Sequence, residues 1–328
     1  MGQSKANKKY RFWYAGIKLL IAVAAFVFIY KQVIGKENPE EILGDYGRVF
    51  LNAENGPYFI AVLALMLLNW SLEAMKWKLM IRKLEAVTFG RALAAVFSGL
   101  TVSFFTPNRI GEYAGRIFHL RTADRIKASL ITILENLSQL IITVTVGAIS
   151  LVFYLKQYTG LHEYIMWVTG VLMILFAGAI LFLFLEFPVL EKSALKISWL
   201  KKLSGYVGVL AEYNKAELLV VLGLALLRYF VFTMQFYLLL KIYGVNGPFP
   251  VLLLLLNMVF FVMTLVPTFA LTEIGVRGAV ATYFLSRVSA DSLAILNASV
   301  SLWMINLVVP ALAGIVFIFQ FRFNREEV

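Results

Sequence analysis

Apolar runs long enough to cross a bilayer recur along this chain, and they leave room for little besides a bundle of membrane helices. Such a span takes about 20 apolar residues at 1.5 Å rise per residue. The first run, Trp13 to Ile34, follows a basic tail over residues 1–11 that carries Lys5, Lys8, Lys9 and Arg11. It is too long for a cleaved signal and lacks a small-residue cleavage site, so it reads as an uncleaved first helix. Five more runs follow: Tyr58 to Trp77, Ala128 to Leu155, Tyr164 to Phe184, Glu217 to Leu240 and Ser292 to Phe321. The expected fold is all-α, a polytopic membrane helix bundle with six full spans in a single integral membrane domain.

Composition closes off the alternatives. Of 328 residues 61% are hydrophobic and only 15% charged, against about 25% charged in a soluble domain, so a cytoplasmic enzyme built on one large core is excluded. The absence of cysteine removes disulfides and thiolate metal sites. With His119 and His162 as the two histidines, a His-rich metal centre has no ligands to draw on, and no cofactor is expected. The net charge of +11 sits beside the spans, as in other polytopic proteins, and no nucleic-acid partner is inferred from it. No phosphate-binding loop, zinc-protease pair or nucleophile elbow occurs in the sequence.

Two further apolar segments, Ala92 to Phe105 and Val251 to Val266, are cut short before they could cross comfortably, and proline follows each. Each continues into a second short helix of mixed polarity, so residues 92–120 and 251–286 read as re-entrant helical hairpins. Irregular backbone at membrane depth is tolerated only where protein or a watery cavity satisfies its polar groups, which places both tips centrally. With both hairpins re-entrant, nineteen lysines and arginines, from Lys5 and Lys76 to Arg322 and Arg325, fall on one side. Six fall on the other: Lys31, Lys36, Arg48, Lys156, Lys241 and Arg287. The bias puts both termini in the cytoplasm of a cell whose plasma or inner membrane holds the chain. It also opens the two hairpins to opposite sides, and inverted halves that each hold a broken helix characterise transporters. Residues 187–216 read as a cytoplasmic amphipathic linker.

The hairpins also carry the polar residues. Pro107 and Gly111 mark the first tip and Pro267 and Gly275 the second. Behind them stand Arg109, Glu112 and Arg116, and then Glu273 and Arg277. In both hairpins a glutamate precedes an arginine by four residues, which stacks the pair on one helix face. Arginine suits a phosphate, because its planar fork donates two parallel hydrogen bonds and keeps its charge. Arg228, mid-span, and Glu135 complete the candidate set, Arg228 pairing with Glu135, Glu112 or Glu273 or else facing a cavity. Glu73 lies nearer a span end, where snorkelling accounts for it.

The stretches TPNRIGEYAGR and VPTFALTEIGVRGAV resemble the two motifs of the lysylphosphatidylglycerol synthase transmembrane-domain family, flippase-like integral membrane proteins. Pro107, Arg109, Gly111 and Glu112 match the first motif. Pro267, Gly275, Val276 and Arg277 match part of the second, with Gly278 where glutamate is usual and Glu273 one turn earlier. The resemblance implies a translocator of anionic or aminoacylated phospholipid, or of other lipid phosphates, with membrane lipids as its partners. Relatives that make aminoacylated lipid carry a soluble transferase domain, whereas this sequence stops after FRFNREEV, so no enzyme activity is expected. The alternatives are an intramembrane lipid-modifying enzyme and a non-catalytic membrane partner of a separate lipid or glycan synthase. That synthase and a second copy of the chain are the protein partners left open.

Overall fold

The computed structural model describes residues 49–50, 52–103, 106, 110–186, 206, 208–266 and 270–319, the side chains of 270–274 excepted. The basic tail, the first span, Pro107, Arg109, Pro267, the Glu273 side chain and most of the 187–216 linker lie outside the described residues. Everything regular within them is helical. The long helices are α1 (Gly56–Ile81), α4 (Arg125–Tyr158), α5 (Glu163–Leu185) and α6 (Lys215–Ile242), together with a final run over Ser292–Ile318. All five are long and apolar enough to cross a bilayer, and they coincide with the five apolar runs after Ile34. The final run is α9 (Ser292–Trp303), a π turn (Met304–Val308) and α10 (Val309–Ile318).

Between these lie two pairs of shorter helices, where the sequence carries its proline breaks. The first pair is α2 (Phe89–Ser103) and α3 (Gly111–Ile117); the second is α7 (Phe249–Leu265) and α8 (Ala270–Leu285). Each pair packs against itself, α2 on α3 and α7 on α8. Their outer partners repeat the same pattern, since α2 rests on α10 of the last span while α7 rests on α4. In addition, α1 packs along α6.

Local chemistry fixes the helix ends. Asp124 caps α4 by accepting hydrogen bonds from the N–H groups of Ile126 and Lys127. Asn214 and Glu217 form a reciprocal capping box at the start of α6. Gly244, at φ 77°, ends that helix in the left-handed region, and the Val245 N–H donates back to the Leu240 carbonyl at 2.8 Å.

Outside the spans, Glu85 organises the loop between α3 and α4. One of its oxygens accepts from the N–H groups of Arg121, Thr122 and Ala123 at 2.8–3.2 Å, and the other pairs with Arg91 at 2.6 Å. Burial pushes this carboxyl upward, but Arg91 and the three backbone donors outweigh it and hold the group at about 2, against an ordinary 4.5.

Close helix approaches are made at glycines. A Cβ on Gly115 would lie 2.5 Å from Gly99 Cα, and one on Gly99 would lie 2.8 Å from the Glu112 carbonyl oxygen. The α2–α3 pair thus closes backbone against backbone. Gly314 of α10 meets Phe97 and Thr101 of α2 in the same way, and Thr101 Oγ1 donates to the Ala311 carbonyl at 2.7 Å. By contrast α5 buries only Gly170, Ala177 and Phe184, and apart from Glu163 and Thr169 the rest of its surface is apolar, as lipid contact requires.

Candidate functional site

Closing α3 onto α2 carries Glu112 and Arg116 into the centre of the bundle. Arg116 is completely buried and donates to three carboxylates: Glu73 at 2.6 Å, Glu135 at 3.0 Å and Glu112. Lys76, also completely buried, sits 2.8 Å from Glu135 and 3.2 Å from Glu73. Arg228 reaches Glu73 Oε2 at 3.2 Å and Gln139 at 3.3 Å, its guanidinium lying over the Trp70 ring. The network therefore holds three carboxylates and three cations drawn from α1, α3, α4 and α6. That balance is what permits it, because each ion costs several kcal/mol to bury unpaired.

Two sequence expectations need correction. Glu73 does not snorkel: it is 2% exposed and joins Arg116, Lys76 and Arg228. Lys76 does not mark the inner surface, since the same network encloses it. Position along a helix indicates depth, but not whether a neighbouring helix supplies a counter-ion. The signal that could have found the pair is a Glu preceding a Lys by three residues within a span.

Next to the network lies a cavity of about 320 Å³. Arg228 and Arg277 line it, together with Asn69, Gln139, Thr143 and Thr264, and with Tyr229, Phe232 and Phe260 on its apolar side. Arg228 thus has both of the environments open to it from sequence, a carboxylate and a cavity, although the carboxylate is Glu73. Arg277 enters from α8. Arg116, Glu112 and Glu135 do not line the cavity; they stand behind Arg228, linked to it through Glu73.

The glycines divide in the same manner. Gly111 opens α3 and is packed tightly, a Cβ there meeting the Val102 carbonyl oxygen at 2.6 Å. Gly275 is not a tip residue: it lies inside α8, and among the described residues a Cβ there would meet nothing within 4 Å. Among the described residues no cluster of His, Asp or Glu could hold a metal ion.

Sequence reasoning missed Asn69 and Asn306. Asn306 lies in the π turn and accepts from Asn69 Nδ2 at 3.2 Å. π turns gather at functional sites, but no periodicity in the sequence announces one.

No curated protein and no solved structure matches this chain. The family model of the lysylphosphatidylglycerol synthase TM region matches residues 16–314, a stretch that holds both paired short helices, the buried network and the cavity, and the chain belongs to that family.

Proposed function

We propose that this protein is a membrane lipid translocator, flippase-like, which passes the head group of an anionic or aminoacylated phospholipid, or of another lipid phosphate, through the central cavity while the tails stay in the bilayer. The observation that carries the reading is the placing of two arginines, Arg228 of α6 and Arg277 of α8, on one cavity. Two guanidinium groups can hold a phosphate between them in bidentate fashion, and about 320 Å³ is at the small end of ligand sites, suited to a head group and not to a whole lipid. The paired short helices, read as oppositely opening re-entrant hairpins, supply the broken helices on which transporters build a midplane site. Arg109 and Glu273 belong to the same proposal, as a further phosphate contact and a carboxylate that orients Arg277.

The buried network supports transport over catalysis. Glu112, which with Glu273 is one of the two carboxylates an intramembrane enzyme would use as a base, is held by Arg116. In proteoliposomes containing fluorescent phosphatidylglycerol, Arg277→Ala and Arg228→Ala should each slow head-group movement at least about tenfold, the worth of one charge-assisted contact. Transport at the wild-type rate in both variants overturns the site.

A further inference from the structure

Arg116 and Arg228 both meet Glu73, but on unequal terms. Arg116 is sealed, and its Nη2 donates to Glu73 Oε1 at 2.6 Å. Arg228 keeps 19% of its side chain exposed, lines the cavity and stands 3.2 Å from Glu73 Oε2. Lys76 Nζ lies at the same 3.2 Å from that oxygen. Among the described residues Oε2 accepts a hydrogen bond from neither cation, so charge alone, and no formed bond, holds Arg228 to it. The Arg228 Nη1 donates to Gln139 at a long 3.3 Å, and its guanidinium rests 5.3 Å from the centre of the Trp70 ring, a contact that leaves its N–H donors available. Of the three cations in the network, Arg228 is the one that a ligand can reach.

Without Arg228 the enclosed groups are three carboxylates, Glu73, Glu112 and Glu135, against two cations, Lys76 and Arg116. Arg228 completes that balance, and Glu73 in turn spares it the cost of an unpaired charge at membrane depth while the cavity is empty. An arriving phosphate must share or displace this partner, and the Glu73 charge repels it. Passage through a membrane requires binding favourable enough to admit the cargo and weak enough to let it leave. Resting on the reading of the cavity as a lipid head-group site, we infer that Glu73 is a built-in competitor for the phosphate. It occupies Arg228 in the empty cavity, yields it on loading and takes it back on release.

Short-chain phosphatidylglycerol, titrated into the full chain in phosphatidylcholine nanodiscs, measures the competition. Glu73→Gln combined with Lys76→Met removes the competitor and leaves the net charge of the enclosed groups unchanged. The lipid should bind this double variant at least about tenfold tighter than the wild type, the worth of one charge-assisted contact. Lys76→Met alone leaves Glu73 Oε2 to Arg228 and should weaken binding instead. Damage to the fold would weaken binding in both variants, so the opposite shifts identify competition. Where Arg228→Gln weakens binding, a double variant that binds no tighter than the wild type, or a Lys76→Met variant that binds no weaker, overturns this assignment alone. If the wild type binds no lipid, or if Arg228→Gln binds as the wild type does, the head-group reading falls and this inference with it.

Discussion

Glu73 spends one oxygen on Arg116 and shares the other between Lys76 and Arg228, so it joins the sealed network to the cavity. Removing its charge leaves three cations against two carboxylates in a largely buried site. Glu73→Gln should destabilise the protein by about 3–5 kcal/mol, as broken buried pairs do, and Lys76→Met should cost a similar amount through the opposite imbalance. The double variant restores neutrality. Its loss of stability, followed by thermal unfolding in detergent, should fall short of the sum of the two single losses by at least about 1 kcal/mol; strict additivity would mean that the two charges do not interact. Glu85 gives a residue-scale prediction outside the spans. Its pKa is depressed in the folded chain, to about 2 from 4.5, so its contribution is complete above pH 4.5 and disappears as pH falls toward 2. Glu85→Gln should cost about 2 kcal/mol at pH 7, as the loss of charge-assisted bonds does. The Tm gap to the wild type should narrow only below pH 4.5, and a gap that stays constant down to pH 3 would show that the charge contributes nothing. Residues of this kind are only partly legible in sequence. Glu112, Arg116, Glu135 and Arg228 stand out as ionisable groups in apolar surroundings, whereas Glu73 and Lys76 sit close enough to a helix end to pass for surface groups. Only the packing of α1 on α6 and of α3 on α4 reveals where they go.

Helices were the most legible features, because length and apolarity alone decide whether a segment can cross a bilayer, and five apolar runs became five long helices. The proline breaks were equally plain, since proline removes a donor and cannot continue a helix. Helix packing was not legible, and the glycines show why. Gly115 and Gly275 both follow a glutamate within three residues, yet the first touches the α2 backbone and the second meets nothing within 4 Å among the described residues. Gly115→Ala should therefore force α3 off α2 and cost about 1–3 kcal/mol in overpacking, dragging Glu112 and Arg116 away from Glu73. Gly275→Ala should instead be neutral or raise stability by up to about 1 kcal/mol through helix propensity. Thermal unfolding of the two alanine variants checks the contrast, which reverses if α8 packs through Gly275 in the membrane. The π turn marks the limit of legibility at this scale: MINLV reads as ordinary helix, and only its fit between α1 and α10 shows the wider turn that presents Asn306 to Asn69.

For the molecule as a whole, the distribution of charge makes one statement about its place in the membrane. Enclosing Lys76 removes one cation from the inner count, leaving eighteen against six, so the bias survives the correction. On the inner-positive reading, residues before α4 lie inside and those between α4 and α5 outside. On the reading of α7–α8 as a re-entrant pair, the segments on either side of it both lie outside, because such a pair returns the chain to the face it left. The absence of cysteine makes this directly measurable with single introduced thiols. Gly160→Cys, Asn246→Cys and Ala290→Cys, all at exposed positions, should react with a membrane-impermeant maleimide added to intact cells. Arg121→Cys should react only after the membrane is permeabilised. Were Asn246→Cys and Ala290→Cys to label from opposite sides, one of the two short helices would cross alone, the halves would no longer be inverted, and Arg277 could not approach Arg228 from a hairpin held at midplane. Labelling of both from outside keeps the two arginines on a single route, with the neutral network behind Arg228 as its fixed wall.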